Sequence, residues 1–285
     1  MSADRPLRIV CSPDADDKFM MWALTHDRIP TDGWRPEITM APTDQLNELV
    51  GPDGPDVLAL SVARWPAAAP WYRLRPHGGS FGDDYGPVLV APRPLEPADL
   101  AGRPVGVPGL TTTAATVLRM LIDIEPVVLP IVPHERVFQA LRGGEVDAAL
   151  LIHEGRLTFE DEGMVPLVDL GVWWARATGG LPLPLGVNGL HRRLDGDDAE
   201  QVSRLIRASI AWALDHRDEV IDDLLSTGGA LRDRERLDLY LQMYANHRTL
   251  DPGPDGRTAV ELLLEQAAAM SLLPECEIDW APEGV

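Results

Sequence analysis

Short runs of β-branched and aliphatic residues alternate along the chain with longer stretches in which apolar positions recur every three or four residues. This alternation predicts repeated βα units and an α/β fold. LRIVC, 7–11, ends at Ser12-Pro13-Asp14 and leads into an apolar-periodic segment from Phe19 to Leu24: strand, loop, helix. Asp16 or Asp17 stands where it can cap that helix or face a ligand at the strand's carboxyl end, and the pattern leaves both roles open. The unit recurs as strand 36–40 with helix 43–50, and strand 56–62 then carries Ser61 to its end. Between Trp71 and Tyr85 the chain is glycine-rich, followed by a strand at 87–91. Its GGSFG run lacks the GK[ST] ending of a phosphate loop and precedes its strand, so it reads as a close-packed turn.

A proline-rich, polar passage from Pro92 to Ala101 predicts a hinge. Strand 104–107 follows, then a Pro108-Gly109 turn and three threonines, Thr111, Thr112 and Thr113, opening a helix to about 121. Those hydroxyls suit an anion held at a helix N-terminus, and they equally suit a plain N-cap. Strand 126–132, a helix from His134 to Gly143-Gly144, and the apolar strand 148–152 bring the chain to His153. Residues 181–194 read as the return to the first region, and the remainder as helices at about 197–215, 217–226, 232–247 and 256–271, with a fraying tail after Pro274. With 285 residues available for burial, the expected division is a larger α/β lobe of 1–95 with 190–285 and a smaller one of 96–189.

Composition narrows the class. Hydrophobic residues make up 45% of the chain and charged residues 25%, as in ordinary globular proteins, and no apolar run is long enough to cross a bilayer. The N-terminus has charge ahead of only a few apolar residues, unlike an export signal, which predicts a cytoplasmic location. Cys11 and Cys276 have no metal-like or redox spacing. A net charge of −20, from 45 acidic against 25 basic residues, opposes nucleic-acid binding, and an anionic small molecule would need local donors. Oligomeric state is not encoded in any pattern here.

Of the seven histidines, His26, His77, His134, His191, His216 and His247 lie in helical, loop or charged surroundings that predict solvated or capping roles. His153 follows Ala148-Ala149-Leu150-Leu151-Ile152, where an α/β fold exposes reacting groups. With an ordinary pKa near 6.5 it would accept a proton at neutral pH, or it would satisfy a strand-end carbonyl, and spacing alone does not choose. Metal ligation is disfavoured, because no second histidine lies two to four residues on and Glu154 would point away on an extended segment. No GxSxG elbow and no dinucleotide fingerprint is present.

LLIHEGRLTFEDEGMVPLVDLGVWWARATGGLPLPLG, 150–186, resembles the 1,4-dihydroxy-6-naphthoate synthase family of the futalosine route to menaquinone. SPDADDKFMMWAL at 12–24 is similar to that family's SPCPNDTF-type opening, VPGLTTTA at 107–114 to its threonine loop, and YANHRTLD at 244–251 to its late Tyr-x-Asn segment. The resemblance implies a two-lobed fold like type II periplasmic binding proteins, with two crossovers and a cleft between lobes. It implies a carbon–carbon lyase acting on cyclic dehypoxanthinylfutalosine without a cofactor, and His153 as the proton acceptor. Leu60, Ser61, Thr112 and Thr113 match substrate-contacting positions, with the substrate carboxylate on the threonines, and Asp17 matches the opening motif's aspartate. The related chorismate dehydratases share the fold but not the IHE segment. This chain departs from the pattern at Asp14-Ala15-Asp16, often Cys-Pro-Asn, and at Ala59, a lysine in some members. A paralogue acting on a related carboxylate, or a non-catalytic small-anion-binding protein, are the alternative readings.

Overall fold

A computed structural model describes residues 5–131, 135–229 and 231–284. Val132, expected in a strand, and His134, expected to open a helix, lie outside the described residues. The first unit is β1 (Arg5–Cys11), α1 (Ala15–Thr25), β2 (Trp34–Met40), α2 (Thr43–Glu48) and β3 (Val57–Ser61). A short helix α3 (Trp65–Ala68) leads to strands β4 (Tyr72–Leu74) and β5 (Ser80–Gly82). Next come β6 (Val88–Ala91), β7 (Pro104–Val107), α4 (Thr113–Leu121), β8 (Glu125–Val128), α5 (Glu135–Gly143), β9 (Ala148–Leu151), β10 (Val165–Asp169) and α6 (Leu170–Thr178). Strand β11 (Leu183–His191) precedes helices α7 (Gly196–Asp215), α8 (Arg217–Thr227), α9 (Arg234–Tyr244), α10 (His247–Leu250) and α11 (Gly253–Ala269).

Two sheets form. The first has the order β2-β1-β3-β11-β4 with β5 also on β11, and the second the order β10-β6-β9-β7-β8. In the first, β1 runs parallel to β2 and β3, and β11 returns antiparallel to β3. In the second, β7 runs parallel to β8 and β9, while β6 is antiparallel to β9. Every residue of β3 and of β9 is buried, which explains why their sequences are continuous apolar runs. Helix α1 is sandwiched as well, with Phe19 through Leu24 all buried against α7, α8 and α9.

The sheets correct several expectations. Val88–Ala91 pairs with β9, so it belongs to the second sheet, and the proline-rich passage after it lies within that sheet's connections. The chain passes between sheets at 83–87 and again at 179–182. Local apolar patterning marks a strand but not the sheet it joins. The tail after Pro274 is pinned: Leu74 donates to the Asp279 carbonyl at 2.8 Å and Ala281 to the Leu74 carbonyl at 2.8 Å. His77 and His191 are buried, not solvated. The His77 ring nitrogens lie 2.6 Å and 2.5 Å from the Leu250 and Glu283 carbonyls, and His191 accepts from the Arg193 backbone N–H at 3.1 Å. His26 and His216 do take capping roles, each ring 2.9 Å from a last-turn carbonyl. Cys11 is buried and Cys276 half-buried, both free thiols. Among the described residues no helix is long and apolar enough to cross a membrane.

Candidate active site

The carboxyl ends of β1 and β9 face each other across the junction of the two sheets. Between them lies a cleft of about 800 Å³, its open mouth included. Asp17, Leu60, Ser61, Thr112, Thr113 and His153 all line it, whereas Thr111, the first of the three threonines, is not among the lining residues. Met20, Leu46, Ile152, Leu185, Val187, Tyr240 and Tyr244 supply apolar wall.

His153 enters from an unusual backbone. The chain does not stay extended after Ile152 but turns into one 3₁₀ turn, His153–Leu157, with His153 itself at φ 52°. A non-glycine residue in the left-handed region carries a strain cost of about 1 kcal/mol or more. The turn also overturns the expectation for Glu154. That side chain is buried, and its Oε1 accepts from the Ala15 backbone N–H at 3.3 Å.

Nδ1 of His153 lies 3.0 Å from Oδ2 of Asp14, and Nε2 lies 3.2 Å from the Thr43 hydroxyl. A carboxylate can only accept, so Asp14 fixes Nδ1 as an N–H and leaves Nε2 as the ring atom at the cleft wall. Asp14 is also the N-cap residue of α1 by backbone position, although its side chain makes no capping bond there. The expectation that Asp16 or Asp17 caps α1 therefore fails, because both sit inside the first turn. Asp17 accepts from the Ser12 N–H at 2.5 Å, Asp16 accepts from the Tyr240 hydroxyl at 3.0 Å, and Ser12 donates its own hydroxyl proton to Asp14.

Four carboxyl groups thus crowd one imidazole, and their protonation is interdependent. Burial alone would lower the pKa of His153. The charge of Asp14 and its hydrogen bond, then the charges of Asp16 and Glu154, outweigh burial and push the histidine up to about 10. Burial first, and the like charge of Asp14 second, raise Asp16 to about 6 and raise Glu154 as well. Asp17 is held well above the usual carboxylate range by burial and by Asp16. These surroundings favour the imidazolium form at neutral pH, where an isolated histidine would be mostly neutral.

The threonines behave differently from the anion seat expected of them. Thr112 is the N-cap of α4, accepting from the Ala115 N–H at 3.2 Å and donating to the Gly109 carbonyl at 2.8 Å. Thr113 donates to the Leu185 carbonyl at 2.6 Å and accepts from the Ala63 N–H at 3.2 Å. Both hydroxyl protons are spent on backbone. Ser61 is anchored by Asn47, which takes the Ser61 N–H on its carbonyl at 3.0 Å and donates to the Ser61 hydroxyl at 3.1 Å.

Sequence reasoning gave no site role to Thr43, Asn47, Glu154, Arg156 or Tyr240. Asp14 stood out only as a departure from a motif. Thr43 and Glu154 meet partners across the two sheets, Tyr240 reaches Asp16 from a distant helix, and Asn47 and Arg156 bond to residues 14 and 13 positions along the chain, juxtapositions no local spacing encodes. Tyr244 had a signal, in the YANHRTLD segment. Among the described residues no group of three or more His, Cys, Asp or Glu could hold a metal ion.

Two α/β sheets joined by two crossovers, with a ligand-sized cleft between their strand ends, define a protein of the periplasmic-binding-protein fold class. An alkanesulfonate-binding protein from Xanthomonas axonopodis shares this fold at a TM-score of 0.69 and 17% identity, covering 96% of each chain. A sequence profile described as menaquinone biosynthesis matches residues 7–269, and the chain belongs to that family. It is 36% identical over 282 residues to 1,4-dihydroxy-6-naphthoate synthase of Streptomyces coelicolor, covering 96% of each chain. It is 34% identical over 270 residues to the Thermus thermophilus enzyme of the same name, covering 93% of this chain and 95% of that one. A crystal structure of an Archaeoglobus fulgidus protein superposes at a TM-score of 0.87 with 36% identity, covering 94% of this chain and 98% of that one.

Proposed function

We propose that this chain is a 1,4-dihydroxy-6-naphthoate synthase, a carbon–carbon lyase that opens cyclic dehypoxanthinylfutalosine with His153 as its general base and no cofactor. The observation that carries the reading is His153 itself: it lines the cleft, Asp14 fixes its Nδ1, and Nε2 is left for proton transfer beside the Thr43 hydroxyl at 3.2 Å. Relatives bearing that enzyme's name along nearly the whole chain support it. Removing a hydroxyl proton from the sugar-derived part of the substrate starts the cleavage, and aromatisation of the naphthoate drives it. An apolar wall of Met20, Leu46, Leu185 and Val187 suits an aromatic product and excludes water while the proton moves.

An imidazolium cannot act as a base, so the acid cluster has to change state before the reaction. Each proton taken up by Asp16, Asp17 or Glu154 removes one of the charges that hold His153 up. Burial raises the proton affinity of all three carboxyl groups, that of Asp16 to about 6. As the cluster fills, the histidine becomes free to accept. Ser61 and Leu60 in the first sheet, with Thr112 and Thr113 at the opening of α4, frame the substrate from both sides, and Asp17 holds the Ser12 turn beneath it.

The test is turnover of cyclic dehypoxanthinylfutalosine by the purified chain, followed by product absorbance, with His153→Ala measured beside it. The variant is expected to fold and to lose about 10²- to 10⁴-fold in kcat/KM, the usual span for a general base. Full activity in His153→Ala refutes the role of the histidine, and no turnover by the native chain refutes the reaction.

A further inference from the structure

We infer that Arg156, and not the threonine-opened end of α4, seats the substrate's carboxylate; this rests on the reaction proposed above. Among the described residues lining the cleft, Arg156 is the one arginine or lysine. Its Nη1 is committed, donating to the Gly86 carbonyl at 2.9 Å and to Oδ2 of Asp169 at 2.8 Å. Asp169 is in turn fixed as the N-cap of α6, its Oδ1 accepting from the Gly171 N–H at 2.9 Å. The guanidinium is therefore anchored on one side only. Its Nε is buried with no acceptor among the described residues, and Nε with Nη2 forms the edge that fits a carboxylate with two parallel hydrogen bonds. A buried donor left unmade is costly, and a bound carboxylate would satisfy it.

Placement relative to His153 follows from the backbone. His153 and Arg156 belong to one short turn, His153–Leu157, and both side chains line the same cleft. The cleft is polarised between them. Asp14, Asp16, Asp17 and Glu154 cluster about the histidine. From Asp16 a row of tyrosines leads away: Tyr240 bonded to Asp16, Tyr244 with ring centroids 5.1 Å from Tyr240, and Tyr85 5.6 Å from Tyr244. Arg156 stands over the Tyr85 ring at 5.9 Å. An anionic group is repelled at the acid end and met at the arginine end. The hydroxyls of Thr112 and Thr113, the rival seat, already donate to Gly109 and Leu185.

Titration calorimetry with 2-naphthoate and its neutral amide, 2-naphthamide, tests this without turnover. The native chain is expected to prefer the acid by about 10- to 100-fold, the span of one charge-assisted contact. Arg156→Gln is expected to bring the two affinities within about twofold of each other while 2-naphthamide binds as before, which also shows that the cleft is intact. A preference that survives in Arg156→Gln, as a seat at α4 would give, overturns the inference, and so does a native chain that does not discriminate. Should Arg156→Gln fail to bind 2-naphthamide, Arg156→Lys decides: loss of the two-pronged edge must cut the preference at least threefold, and an unchanged preference overturns it. A chain that discriminates through Arg156 yet does not turn over cyclic dehypoxanthinylfutalosine sinks the proposed reaction and keeps the carboxylate seat.

Discussion

Asp14 gives His153 both its orientation and its charge, at a separation of 3.0 Å. With the histidine pushed up to about 10, its neutral, base-competent fraction in the ligand-free protein grows as pH rises toward that value. Asp14→Asn removes the largest influence raising it, so the rising limb of kcat/KM against pH is expected to move to lower pH, toward 6.5. A pH profile of the two proteins checks this, and coincident limbs would show that Asp14 does not tune the histidine. Folding stability carries the same sign. A group whose pKa is raised on folding stabilises fully below its unfolded value, and the contribution is lost as pH climbs through about 10. Urea denaturation between pH 6 and 10 is therefore expected to fall less steeply for Asp14→Asn. At this scale the sequence showed where His153 would emerge, because an apolar strand before a polar turn is a local pattern. It could not show that the turn would fold back at φ 52°, nor that Asp14 would come to meet it from another sheet.

Helix α6 meets the first crossover with no room between them. A Cβ built on Gly171 would lie 1.9 Å from the Tyr85 carbonyl oxygen, which is backbone and cannot swing aside. Gly171→Ala is expected to cost more than the 1–3 kcal/mol of ordinary overpacking, read as a drop in the urea midpoint. It should also weaken 2-naphthoate binding, because the displaced segment carries the Gly86 carbonyl that anchors Arg156. Thr112→Ala is a milder case, expected to cost about 1 kcal/mol as a lost N-cap without moving the crossover. Elements with strong periodicity were legible. The long helix expected at 197–215 is Gly196–Asp215, and the strand runs at β1, β3 and β9 fall within a residue or two of the pattern. The single helix expected at 232–247 is instead two, Arg234–Tyr244 and His247–Leu250. Asn246 caps the second through its side chain, accepting from the Arg248 N–H at 2.9 Å. An asparagine inside an apolar periodicity reads as surface until its hydrogen bonds are seen.

Across the whole molecule the net charge of −20 sets the approach of an anionic substrate. Raising ionic strength from about 0.01 M to 0.15 M shortens the screening length from about 30 Å to 8 Å, so the association rate of 2-naphthoate is expected to rise with salt. Stopped-flow binding checks it, and a rate that falls with salt would mean that local cations at the cleft mouth dominate the field. The α/β character was legible from alternating periodicities. The assignment of β6 and the pinning of the tail were not, since both depend on pairing between distant segments. His153 is carried by the second sheet, whereas Asp14 and Thr43 belong to the first, and Ala15 of the first donates to Glu154 of the second. Drawing the sheets apart would return all these groups to water and drop their proton affinities together. Closure of the cleft is then a proton-uptake event, so acid favours the shut form and alkali the open one. The heat of binding any ligand that shuts the cleft at pH 8 should accordingly vary with the ionisation heat of the buffer, making solvent protons a silent co-ligand of this protein.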